Sequence, residues 1–87
     1  MADPQKKILV IDDEDDVRTL VAARLRRVDY DVVVATNGLE GLRLFYSDRP
    51  DIILLDVAMP EMDGWQVLER LREVSNVPVL MLTAAAE

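Results

Sequence analysis

Asp51-Ile52-Ile53-Leu54-Leu55-Asp56 holds an unbroken apolar run, Ile52 to Leu55, closed at its far end by an acid. A short run without polar alternation describes a strand buried on both faces, the kind found in parallel sheets covered by helices. The same design recurs on either side of it. Lys7-Ile8-Leu9-Val10-Ile11 ends in Asp12-Asp13, Tyr30 to Ala35 is a Val-rich run, and Val77 to Leu82 ends in Thr83. Pro78 stands near the start of that last run, where a missing N–H donor is tolerated. Between the runs the apolar spacing becomes helical. Val17, Leu20, Val21, Leu25 and Val28 make one predicted helix face, Leu39, Leu42, Phe45 and Tyr46 a second, and Val67, Leu68, Leu71 and Val74 a third. Thr36 or Asn37 can cap the second helix, Arg49-Pro50 ends it, and Pro60 and Asp63-Gly64 mark the loop before the third. Strand and helix alternate throughout. That order predicts an α/β fold, with a doubly wound parallel sheet, right-handed crossovers and helices on both faces.

The chain has 87 residues, enough for one small domain, and 51% of them are apolar, which suits a packed globule. Its net charge is −7, so it repels phosphate backbones and anionic lipid, and this segment is not expected to bind nucleic acid or a membrane surface. There is no Cys and no His, which excludes disulfides, thiolate or imidazole metal sites and His-dependent catalytic pairs. No signal-like or membrane-spanning stretch is present at the N-terminus, so a cytoplasmic location is the default expectation. The chemistry has to come from carboxylates, hydroxyls, Lys, Arg and the main chain.

In an open parallel sheet, ligands bind outside the carboxyl ends of the strands. Asp12-Asp13, Asp56 and Thr83 each follow a predicted strand, so the fold gathers them at one end of the sheet. A single Asp at a strand end is ordinarily a turn residue or a helix cap. Three acids and a hydroxyl gathered at strand ends favour a site instead. Clustered carboxylates repel one another and take up protons unless a cation sits among them. A hard divalent ion such as Mg²⁺, with its preference for oxygen ligands, suits that set.

These stretches resemble the response-regulator receiver domain of two-component signalling, which has a flavodoxin-like (CheY-like) fold. The resemblance runs in order through Ile8 to Glu14, Asn37-Gly38, Asp51 to Asp56, Met59-Pro60, Met62-Asp63-Gly64, and Val77 to Ala84. It implies the strand order 2-1-3-4-5 and gives each residue a role. Asp56 would be the phosphoacceptor. Asp13 would bind Mg²⁺ directly, Asp12 through water, and the backbone carbonyl of Ala58 would complete the metal ligands beside Asp56. Thr83 would be the switch hydroxyl that contacts the phosphoryl oxygens. The phosphoryl donor would be a histidine kinase or a small acyl phosphate, and the module would assist its own modification without being an enzyme with turnover.

The family continues into a fifth strand bearing a site Lys and an aromatic switch residue, then a last helix. No Lys follows Asp56 in this sequence. On the family pattern residues 1–87 are therefore expected to form a receiver domain ending after its fourth strand. That would leave an open edge and a bare apolar face, and the expectation is a homo-oligomer. The alternative function is a self-associating structural scaffold without phosphotransfer. A Mg²⁺-dependent phosphatase ranks below both, because that class commonly carries a second acid two residues after its nucleophile, where Ala58 stands. Trp65 reads as packing, the Met59, Met62 and Met81 set as loop and core filler, and Arg24, Arg26 and Arg27 as a solvated helix face. Gly38, Gly41 and Gly64 form no phosphate-loop spacing.

Overall fold

The computed structural model describes residues 6–82. Four strands, β1 (Lys7–Ile11), β2 (Asp31–Ala35), β3 (Ile52–Asp56) and β4 (Val79–Leu82), alternate with three helices, α1 (Asp15–Arg27), α2 (Gly38–Asp48) and α3 (Gly64–Val74). The sheet order is β2-β1-β3-β4 and every pairing is parallel. This is the expected doubly wound arrangement. The boundaries moved slightly. β3 runs through Asp56, which pairs with Leu82, so the acid belongs to the ladder and not to the loop after it.

Both faces of the sheet are apolar, and both are covered around β1, while Leu80 of the edge strand β4 stays 55% exposed. Leu9 and Ile11 of β1 point with Ala35, Ile53 and Leu55 into the larger core, which Phe45 of α2 and Val67 and Leu71 of α3 complete. Ile8 and Val10 point the other way, with Val32, onto Ala22 of α1. Gly41 lets α2 approach closely, since a Cβ there would stand 2.8 Å from Ile11 Cγ1.

The helix faces are narrower than their spacing predicts. On α1, Ala22 is the buried residue and Val21 and Leu25 pack beside it, whereas Val17, Leu20 and Val28 are exposed. Leu39 and Tyr46 of α2 and Val74 of α3 are also exposed. A small residue at the point of closest approach brings the helix onto the sheet, and apolar residues rotated away from that line stay in solvent. Trp65, expected to pack, lies 58% exposed on α3. The Met expectation holds: Met59 is buried, and Met62 and Met81 pack at the edge of the same core.

Helix starts are set locally. Asn37 accepts the Glu40 N–H at 2.8 Å, and Asp63 and Gln66 form a reciprocal capping box at 2.9 Å in each direction. α2 ends at Arg49, which takes a left-handed conformation (φ 50°) before Pro50.

Candidate functional site

The order β2-β1-β3-β4 reverses direction between β1 and β3, and the carboxyl ends of those two strands flank the crevice where such sheets bind ligands. β1 delivers Asp12 and Asp13 to that crevice, and β3 delivers Asp56. One carboxylate oxygen from each lies within 4.8 Å of the others. The three acids line a cleft of about 370 Å³ together with Glu14, Val17, Ala58 and Leu82.

Asp12 is the most constrained of the three, at 4% exposure. Its N–H extends the β1–β2 ladder by donating to the Ala35 carbonyl at 3.1 Å. Its Oδ1 accepts the Glu14 N–H at 2.9 Å, which turns the chain into α1. Glu14 stands at the N-cap but makes no side-chain cap of its own. Asp13, one residue on, is exposed at the cleft mouth.

Asp56 is half-buried, and its Oδ1 accepts the Ala58 N–H at 3.2 Å. The following loop is tied down on both sides. Val57 donates to the Leu82 carbonyl at 3.0 Å, and Gly64 donates to the Val57 carbonyl at 2.9 Å. Burial pushes the Asp56 pKa above the ordinary aspartate value, and the facing charges of Asp12 and Asp13 push it the same way. The Ala58 N–H favours the charged form and opposes them.

A divalent cation would relieve that repulsion, and the donor set fits Mg²⁺. All donors are hard oxygens. Ligands on opposite sides of an octahedral Mg²⁺ stand about 4.2 Å apart, given Mg–O distances of about 2.0–2.1 Å. A 4.8 Å spread is compatible with one shared ion that leaves a carboxylate to act through water.

Of the residues singled out from the sequence, Asp12, Asp13, Asp56 and Ala58 meet in the cleft, and Thr83 lies outside the described residues. The structure adds Glu14, Val17 and Leu82 to the lining. Glu14 adjoins the Asp pair and Leu82 ends a strand, so their positions were hints. Val17 gave a helix-face signal that pointed to the core instead.

Comparison with known proteins points to one family. The sequence profile of the response regulator receiver domain matches residues 8–87. The "Probable transcriptional regulator ycf27" of Porphyra purpurea is 44% identical over 87 residues, which is 100% of this chain and 36% of the relative. The alkaline phosphatase synthesis transcriptional regulatory protein PhoP of Bacillus subtilis is 46% identical over 83 residues, covering 94% of this chain and 35% of its own. The chain thus spans about a third of the length of these curated relatives. Among solved structures, the Vibrio cholerae chemotaxis protein CheY4 superposes with a TM-score of 0.91 at 33% identity, covering 97% of this chain and 72% of that one. The Thermotoga maritima response regulator TrrA, solved with Mg(2+)-BeF, gives a TM-score of 0.88 at 35% identity, covering 94% and 72%.

Proposed function

The chain belongs to the response regulator receiver domain family, and we propose that it is the phosphoacceptor module of a two-component system, modified at Asp56 in a Mg²⁺-dependent reaction. The observation that carries this reading is the convergence of Asp12, Asp13 and Asp56 within 4.8 Å at the switch point of the sheet.

A carboxylate oxygen of Asp56 attacks the phosphorus of the donor. The bond from phosphorus to the donor's leaving atom breaks, an imidazole or carboxylate departs with the electron pair, and Asp56 becomes an acyl phosphate. Asp13, the Ala58 carbonyl and Asp56 would hold Mg²⁺, with Asp12 acting through water. When bound, the ion offsets charge on the phosphoryl oxygens and on the carboxylates around them. Asp12 stays oriented by its own main-chain contacts while this happens. The Ala58 N–H keeps Asp56 aimed along the strand end. Thr83 would then turn its hydroxyl to the new phosphoryl oxygens. The donor is a histidine kinase or a small acyl phosphate, and the module performs no turnover of its own. The names of the curated relatives point to transcription as the process controlled.

Intact mass after incubation with acetyl phosphate, with and without Mg²⁺, tests the reading. A Mg²⁺-dependent phosphate adduct in the wild type and none in Asp56→Asn is expected. Folded wild-type protein that gains no adduct would remove phosphotransfer and leave the scaffold alternative.

A further inference from the structure

Arg18 is a cation in an unfavourable place. It is the fourth residue of α1, where the positive end of the helix dipole favours acids such as Asp15 and Asp16. Yet its side chain is only 12% exposed. The guanidinium turns back across the helix start. Nη1 donates to the main-chain carbonyl of Asp12 at 2.8 Å, and Nη2 pairs with the Asp15 carboxylate. One planar fork therefore spans the whole β1–α1 loop, from the residue that leaves the strand to the first residue of the helix. Asp12 is held at three points: its N–H by Ala35, its Oδ1 by Glu14 and its carbonyl by Arg18. Arg18 itself does not line the cleft.

We propose that Arg18 is a positioning residue for the acidic cluster: by clamping the Asp12 main chain it holds the Asp12 and Asp13 carboxylates where they face a divalent cation beside Asp56. This rests on the reading of that cluster as the Mg²⁺ site. Only a guanidinium fits the role, because a lysine ammonium is a point donor that cannot bridge the Asp12 carbonyl and the Asp15 carboxylate in the same planar geometry.

Charge and position predict opposite signs. If Arg18 acted only through its charge, removing it would make the cleft more negative and tighten cation binding. If it acts through position, removing it loosens the loop and weakens binding. Outer partners that orient metal ligands are commonly worth about 10–100-fold in metal affinity.

The test uses the 87-residue chain, with Mg²⁺ titrated calorimetrically into wild type, Arg18→Met, Arg18→Lys, Asp15→Asn and Asp13→Asn. Backbone amide spectra are recorded without metal, and circular dichroism confirms folding. Both Arg18 variants are expected to weaken Mg²⁺ binding about tenfold and to shift or broaden the amides of Asp12, Asp13 and Glu14 before any metal is added. Asp15→Asn, which leaves the bond to Asp12, is expected to fall between them and wild type. If Arg18→Met does not fold, Arg18→Lys decides alone, since it keeps the charge and the aliphatic stem. An Arg18→Lys protein that binds Mg²⁺ as wild type does, or an Arg18→Met protein that binds it more tightly, would overturn the proposal. Failure of the underlying site looks different: wild type would not bind Mg²⁺, or Asp13→Asn would bind it equally well, and the role of Arg18 would fall with it.

Discussion

Gly64 donates its N–H to the Val57 carbonyl at 2.9 Å, and a Cβ on Gly64 would stand 2.8 Å from the Val57 Cα. The other atoms it would meet are the carbonyl carbon and oxygen of Asp56, all main chain and unable to swing aside. The start of α3 is thereby pressed against the end of β3, which carries the proposed nucleophile, and against the residue that follows it. Gly64→Ala should cost about 1–3 kcal/mol, the usual range for overpacking. It should also slow Asp56 phosphorylation by more than the loss of folded protein explains. Urea unfolding beside the acetyl phosphate adduct rate checks both. A variant as stable and as reactive as wild type would show that the close approach is not needed.

The acidic cluster makes metal-free stability depend on pH in a defined direction. The folded-state pKa of Asp56 is raised, mainly by burial and then by the charge of Asp12. Between the unfolded and the folded pKa, the folded protein holds a proton that the unfolded chain has released. This group's contribution to stability therefore falls as pH rises through that window. Asp56→Asn removes the half-buried charge and keeps an amide oxygen for the Ala58 N–H. In EDTA the variant should be more stable than wild type at neutral pH. The difference should vanish as pH drops below about 3.9, the ordinary aspartate value. Added Mg²⁺ should stabilise wild type and narrow the gap, because a ligand of the folded state raises stability by mass action. Urea midpoints across a pH series test this; a less stable Asp56→Asn at neutral pH would contradict it.

How much of the fold and the site is legible in the sequence depends on which physics each residue obeys. β1 and β3 were readable because a strand buried on both faces has to be apolar throughout, and Ile8 to Ile11 and Ile52 to Leu55 are. Asp12, Asp13 and Asp56 were readable because a parallel sheet brings its carboxyl ends together whatever the loop details. The helix faces were less legible. Spacing alone cannot tell which apolar residues of α1 come closest to the sheet, and Ala22, the most buried of them, carries a weaker hydropathy signal than the exposed Val17 and Leu20. Trp65 went to the surface for a related reason: Val67 and Leu71 already fill the inward line of α3. The Arg18 fork gave no pattern at all, since a bond from a helix side chain to a main-chain carbonyl six residues back leaves no trace in residue type.

The two helices that follow the acidic loops begin differently, and substitutions should reveal it. Asp63 accepts the Gln66 N–H in a complete capping box, whereas Glu14 at the start of α1 makes no side-chain cap. Asp63→Ala should cost about 1 kcal/mol, the typical worth of a cap. Glu14→Ala should stay within about 0.5 kcal/mol, as surface changes usually do. Chemical unfolding of both in the metal-free state makes the comparison. Equal losses would mean that Glu14 stabilises α1 by some route other than capping.

The same contrast between position and pattern applies along α1. Ala22 is 2% exposed against Ile8, Val10 and Val32, while Leu20, two residues away, is 55% exposed. Hydropathy alone ranks Leu20 as the core residue and Ala22 as the replaceable one. Packing reverses that order. Ala22→Leu adds three carbons where the helix meets the sheet, and that should cost about 1–3 kcal/mol by overpacking. Leu20→Ser gives up only partial burial and a little helix propensity and should cost no more than about 1 kcal/mol. Ala22→Leu also pushes against the helix whose first turn carries Arg18, so its Mg²⁺ affinity should fall as well, while that of Leu20→Ser should not. Unfolding curves and Mg²⁺ titrations on the pair decide it. A large loss from Leu20→Ser would mean that α1 sits rotated from the packing described, with Leu20 turned toward the sheet.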